Sequence, residues 1–273
     1  MYVPLIWKYS LIFKSIRFQW NVRGENSMKP TSLQIDALSK KIAAFMPLKP
    51  EDSVILERLQ GQRILIGAGR DIVYEGQHHH AAYVVREGWA CSYKRLHDGG
   101  RQIIDIQIPG DFLGLRSLLL RTSDQSYVAL TDIEIRKVNT DRIWEAFRES
   151  PRLAVALLWA ASRDNAMVVE HLVNVGRRDA LSRTAHFLLE LAMRMRLIGH
   201  GNSDSFPCPL SQTVLADSLG LTAIHLNRVL RQLREANLLV FRDGVVTFLN
   251  RESLAELTGF DLTYLDQDIT PTR

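Results

Sequence analysis

The spacing of apolar residues changes once along the chain, near residue 139, and that change restricts the fold to two joined halves of different class. Before it lie short apolar runs: Ile64-Leu65-Ile66, Ile72-Val73-Tyr74, Tyr83-Val84-Val85, Trp89 to Tyr93, Ile103 to Ile108, Tyr127 to Leu130 and Ile133 to Val138. Glycine turns separate them, at Gly67-Ala68-Gly69, Glu75-Gly76, Glu87-Gly88, Asp98-Gly99-Gly100 and Pro109-Gly110-Asp111. Short strands between such turns predict an all-β sandwich or roll from about Ile55 to Val138. After Asn139-Thr140-Asp141, a helix-start signal, the spacing becomes helical and stays so. The fold class expected is α+β.

The span Arg152 to Val175 has no proline or glycine and sets Leu158, Ala161, Asn165, Val168, Leu172 and Val175 at alternating intervals of three and four. Periodicity alone leaves two readings, a helix lying on its own domain or a paired helix. The lone Asn165 favours pairing, because a polar residue in an apolar seam sets register and partner number. A second helical span, Arg178 to Ile198, leads through a polar loop, Gly199 to Pro209, to two short helices.

Ser211 is a good cap for the first of these, and Val214, Leu215, Ala216 and Leu219 give it an apolar face. Gly220-Leu221-Thr222 interrupts, and Thr222 caps a second helix running to about Glu235, with Leu226, Val229, Leu230 and Leu233 on one side. Two helices joined by a tight glycine turn form a helix-turn-helix. Leu238 to Arg242, Asp243-Gly244 and Val245 to Leu249 then read as a two-residue hairpin, making a winged helix. A helix of this kind fits the major groove of DNA. Arg228 can grip guanine bidentately and Asn227 can read adenine or a phosphate, while Arg231 and Arg234 lie off the apolar side. Ser211, Gln212, Thr213, Thr222 and His225 sit at helix starts or outer positions suited to phosphate. The alternative is a winged helix used for protein contacts.

Charge supports nucleic acid modestly. The net charge is +4, and residues 177–251 hold ten arginines and no lysine against six carboxylates. Guanidinium pairs bidentately with phosphate and guanine, although a solvated arginine face would look the same. Cys91 and Cys208 are too few for a disulfide framework or an iron–sulfur cluster. No apolar run reaches the roughly 20 residues a bilayer span needs, so the expected location is the cytoplasm. Residues 1–27 carry Trp7, Tyr9, Phe13, Phe18 and Trp20 among Lys8, Lys14, Arg17 and Arg23, directly before Met28. They read as an extension upstream of a start at Met28, as a loose arm, or as a basic amphipathic segment touching a membrane surface. No nucleophile motif, metal-ligand spacing or phosphate-binding glycine loop points to an enzyme.

The order of β-roll, long helix and winged helix resembles the Crp/Fnr family of bacterial transcription regulators over roughly residues 50–258. The residues carrying the likeness are Pro109-Gly110-Asp111-Phe112-Leu113-Gly114, and Leu219-Gly220-Leu221-Thr222 with Asn227-Arg228-Val229-Leu230. The resemblance implies an N-terminal jelly-roll-like sensor over 28–150, a dimerisation helix over 151–176, a DNA-binding domain over 177–258 and an acidic tail over 259–273. It implies a homodimer reading a pseudo-palindrome in double-stranded DNA, with half-sites roughly 34 Å apart. RNA polymerase and a small effector are further candidate partners, and no cofactor is expected.

The departures also matter. Cyclic-AMP-binding members place a glutamate after the glycine at Gly114 and an Arg-Ser or Arg-Thr pair for the cyclic phosphate; here stand Leu115 and Gln125-Ser126. A cyclic phosphate without its arginine lacks its main charge partner, so any effector held at Gly114, Leu115, Gln125 and Ser126 is not cyclic AMP. His78-His79-His80 fall in a turn, where adjacent side chains diverge, and read as a polar surface. In the recognition helix the family often has Arg-Glu where this chain has Ala223-Ile224, although Arg228 is kept. Ile224 cannot accept a hydrogen bond from cytosine and would prefer a thymine methyl. Two other readings stay open: a ligand-binding module acting through protein contacts, and a constitutive regulator with no ligand.

Overall fold

The computed structural model describes residues 36–118, 120–138, 140–261 and 263–265. The segment 1–27, residues 28–35 and most of the acidic tail lie outside them. The elements run α1 (Ala37–Phe45), α2 (Pro50–Leu59), β1 (Gln60–Ile66), β2 (Asp71–Val73), β3 (Ala82–Glu87), β4 (Ala90–Arg95), β5 (Arg101–Gln107), β6 (Phe112–Leu113), β7 (Ser126–Ala129) and β8 (Ile133–Val138). Then follow α3 (Thr140–Glu149), α4 (Pro151–Arg177), α5 (Ala180–Leu197), β9 (Ser205–Pro207), α6 (Gln212–Leu219), α7 (Ala223–Glu235), β10 (Leu239–Arg242), β11 (Val245–Phe248) and α8 (Arg251–Thr258).

The strands of the first half form two four-stranded antiparallel sheets, β1-β8-β3-β6 and β2-β7-β4-β5. Val73, Ala90, Tyr127 and Ala129 of one sheet meet Val85, Leu113, Ile133 and Ile135 of the other in a buried core. This is the expected roll. The start of the β region moves, however, because Ile55 to Leu59 belong to α2. Pro50 at its first turn, Glu51 and Asp52 beside the positive helix start, and the Lys49 N–H donating to Asp52 Oδ2 (3.1 Å) make this a helix despite its β-branched Val54 and Ile55.

α1 is a further helix ahead of the β region. Its N-terminus lies against the Pro109-Gly110-Asp111 turn, where a Cβ on Gly110 (φ 87°) would come 2.7 Å from the Ala37 carbonyl carbon. Only glycine combines that φ with that approach. Asp111 is the more consequential member of the turn. Buried at the meeting of α1, β5 and α5, it accepts from the Ile108 N–H (2.9 Å), Lys41 Nζ (2.9 Å) and Arg194 Nη2 (2.6 Å). Burial alone would raise its pKa, but the two cations and the backbone donor hold it well below the usual carboxylate range.

Arg194 also donates to the Ile106 carbonyl (2.7 Å) and lies 3.4 Å from Asp105 and 3.7 Å from Glu190. Through it α5, which opens the C-terminal half, is fastened to the roll. The outer face of the second sheet, including Cys91, Tyr93, Ile103 and Ile106, shares one apolar core with α5, α6, α7 and the hairpin.

Candidate nucleic-acid interface

The helix-turn-helix is built by three short-range devices. Ser211 Oγ accepts the Val214 N–H (3.2 Å) to start α6, Gly220 at φ 61° stops it, and Thr222 Oγ1 accepts the His225 N–H (3.2 Å) to start α7. The left-handed conformation, rather than lack of space, is what favours glycine at 220. Longer-range contacts then set the pair in place. Arg183 Nη1 donates to the Leu219 carbonyl at the end of α6 (2.6 Å). From the roll, Gln102 Nε2 donates to the carbonyls of Asp217 (3.1 Å) and Ser218 (3.3 Å), and Arg101 Nε pairs with Asp217 (2.8 Å).

With Leu226, Val229 and Leu233 buried, α7 turns its other side outward. Ile224, His225, Asn227, Arg228 and Arg231 are exposed, as are Ser211, Gln212, Thr213 and Thr222, while Ala223 is half-buried. Among the described residues Arg228 makes no hydrogen bond or ion pair, so its guanidinium is available. Arg231 lies 3.6 Å from Glu235 on the solvated surface, a pair worth little and easily exchanged for phosphate. The hairpin beside it turns through Asp243 (φ 52°) and Gly244 (φ 72°), the type I′ geometry expected of Asp-Gly. Its sheet has a third strand, β9, inside the loop that read as merely polar.

The arginine count overstated the charge available to DNA. Arg194 is buried among carboxylates, Arg183 holds the end of α6, Arg178 pairs with Glu170 (2.6 Å), and Arg251 donates to the Ser203 carbonyl (2.8 Å). Arg228, Arg231, Arg234 and Arg242 are exposed around α7 and the hairpin. Cysteine chemistry adds nothing: both thiols are free and buried, and burial pushes each up to about 12, so neither is a thiolate at neutral pH.

Of the four residues named for an effector, Gly114 and Gln125 meet at Tyr127 with Leu115 beside them, whereas Ser126 is engaged elsewhere. Gly114 and Leu115 line a small polar cavity with Asp105, Gln107, Arg116, Tyr127 and Asp164, but its volume is only about 10 Å³. That is room for one water at most. Gln125 is buried and donates to the Tyr127 hydroxyl (2.8 Å), while Ser126 Oγ turns away to accept from the Glu75 N–H (3.0 Å). Isothermal calorimetry with cyclic AMP or cyclic GMP is therefore expected to show no micromolar binding; a micromolar isotherm would contradict this reading of the cavity. His78 and His79 are exposed, and His80 Nε2 lies 2.7 Å from the Ser117 carbonyl.

Along α4, Leu158, Asn165 and Leu172 are exposed, and Ala161, Val168 and Val175 are half-buried. The open side is displaced from the stripe read in sequence. Val155, Ser162, Val169 and Gly176 are exposed on the other flank of the same three residues, whereas Val175 sits against the Gly220 turn. An uncovered seam Val155, Leu158, Ser162, Asn165, Val169, Leu172 again has alternating intervals of three and four.

Known proteins agree with both halves. The cyclic nucleotide-binding domain family matches residues 64–150, and the Crp-like helix-turn-helix domain family matches residues 182–257. The nitrogen fixation regulation protein FixK of Bradyrhizobium diazoefficiens is 33% identical over 192 residues, 70% of this chain and 79% of that protein. The transcriptional activatory protein AadR of Rhodopseudomonas palustris is 28% identical over 201 residues, 72% of this chain and 82% of its own. The solved structure of FixK2 from Bradyrhizobium japonicum has a TM-score of 0.64 at 28% identity, covering 72% of this chain and 96% of that one. A roll, a long helix and a winged helix-turn-helix, matched over most of the length of such relatives, make this chain a member of the Crp/Fnr family of transcription regulators.

Proposed function

We propose that the protein acts as a homodimer whose α4 helices pair and whose two α7 helices read an inverted repeat in double-stranded DNA. The observation that carries this reading is the outward face of α7, where Arg228 is exposed and has no partner among the described residues while the opposite face is buried. Arg228 grips a guanine, Ile224 meets a thymine methyl, and Asn227 takes adenine or a phosphate. Ser211, Gln212, Thr213, Thr222, His225 and Arg231 fasten the backbone and set the register. With DNA as its target the protein works in the cytoplasm, where RNA polymerase is the machinery it would recruit or block.

The roll is the input side, and a signal there acts only by favouring one arrangement of the winged helices over another. The cavity beside Gly114 is too small for a nucleotide, which supports either a different kind of signal or none.

Selection of bound sequences from random DNA by the purified protein is expected to enrich an inverted repeat with half-site centres one helical turn apart. No enrichment would defeat the proposal. In the selected operator, Arg228→Ala is expected to lose about 1–3 kcal/mol of discrimination at one guanine per half-site, measured by fluorescence anisotropy. Discrimination that survives the substitution would remove Arg228 from that role.

A further inference from the structure

The groove-facing side of α7 begins with a side chain that can make no hydrogen bond. Ile224, the second residue of the helix, is 77% exposed, more than any other large apolar side chain described. Helical spacing puts Arg228, four residues on, and Arg231, seven residues on, on the same side. Around it the choices are polar or short: Ala223 is half-buried, and His225 and Asn227 carry hydrogen-bonding groups. An isoleucine here contributes nothing to the core, so its contact value lies in what it meets outside.

In the major groove the apolar group on a base edge is the methyl at C5 of thymine. Cytosine differs from thymine at two places on that edge, an amino group for the keto oxygen at C4 and a hydrogen for the methyl at C5. A hydrocarbon side chain has no atom with which to sense C4. It senses only whether C5 carries a methyl.

We propose that Ile224 reads the C5 methyl whichever pyrimidine bears it, so that 5-methylcytosine replaces thymine at this operator position and cytosine methylation tightens binding. The inference rests on α7 being the DNA-reading helix. It supplies a signal that needs no cavity in the roll, because the information is carried by the DNA itself. Burying one methyl against isoleucine corresponds to about fourfold in affinity per half-site and about fifteenfold for a symmetric pair.

The test uses the full-length protein and its selected operator, with thymine, uracil, cytosine or 5-methylcytosine placed in turn at each pyrimidine of both half-sites. Comparing thymine with uracil, and 5-methylcytosine with cytosine, isolates the methyl while leaving the pairing base unchanged within each comparison. At one position per half-site both ratios are expected to be equal and about fifteenfold for the dimer. Both are expected to vanish in Ile224→Ala while Arg228-dependent guanine discrimination persists. Because Ile224 is exposed, the variant should keep the wild-type circular dichroism and melting curve.

The proposal is overturned if no position shows a methyl effect, if thymine shows one and 5-methylcytosine does not, or if the effect survives in Ile224→Ala. Failure to bind any DNA would remove the DNA-reading role and this proposal with it, whereas binding without methyl sensitivity removes only this proposal.

Discussion

Replacing Arg194 with methionine is expected to lower the stability of the fold by about 3–5 kcal/mol at neutral pH, read as a shift of the urea midpoint. Methionine fills much of the same volume, so the loss is electrostatic. The guanidinium, 2% exposed, is the shared partner of Asp111, Asp105 and Glu190, and without it buried carboxylates face one another. Lys41 still reaches Asp111 and Asp164, at 2.9 and 3.1 Å, which limits the damage on one side of the cluster.

The deficit should also depend on pH, with a definite sign. Burial pushes Glu190 up to about 7 and Asp105 up to about 6, each against the pull of Arg194. Between about pH 4 and pH 7 the folded protein therefore retains protons that the unfolded chain releases, and these two groups make stability fall as pH rises. Removing Arg194 raises both further and extends that fall upward. The variant is expected to lag wild type least near pH 5, where Asp105 and Glu190 hold protons and Asp111 is the ionised partner left without Arg194, and to lag most at pH 8. A loss under 1 kcal/mol, or one independent of pH, would show that α5 is held to the roll by packing alone.

The second large effect is on association. Leu172→Glu should leave the protomer folded, since Leu172 is 70% exposed, but should weaken the proposed dimer. Two such side chains, one from each protomer, would forgo roughly 3–6 kcal/mol of apolar burial, which raises the dimer dissociation constant roughly a hundredfold to ten-thousandfold. Analytical ultracentrifugation reads this directly, and affinity for the inverted repeat should fall with it. Leu158→Glu is expected to act in the same direction: Leu158 is 67% exposed and also borders an apolar groove of about 420 Å³ with Trp144 and Phe147. A Leu172→Glu protein that stays dimeric at micromolar concentration would show that α4 is not the seam.

The local elements were legible because they depend on local chemistry. Ser211 and Thr222 as caps, Gly220 at a left-handed turn and Asp243-Gly244 in a type I′ hairpin are demands of a few consecutive residues on their own backbone. The same holds for the glycine turns between strands and for the apolar side of α7. Where local signals conflict, short-range pattern points the wrong way. Val54-Ile55-Leu56 resembles a strand, and only Pro50-Glu51-Asp52 before it marks α2 as a helix.

The α+β class, the order of roll, long helix and winged helix, and the face of α7 left exposed all follow from short-range patterns in the chain. Periodicity, capping and turn chemistry are properties of neighbouring residues and need no knowledge of what lies across the fold. Which charges are free and which spaces are open is set by long-range contacts in the folded chain. The tertiary structure joins Arg194 to Asp111 across 83 residues of chain and Arg101 to Asp217 across 116. It narrows the cavity beside Gly114 to about 10 Å³ and leaves Val155, Leu158 and Leu172 uncovered. Those outcomes depend on contacts between residues far apart in the chain, and one-dimensional spacing carries no record of them.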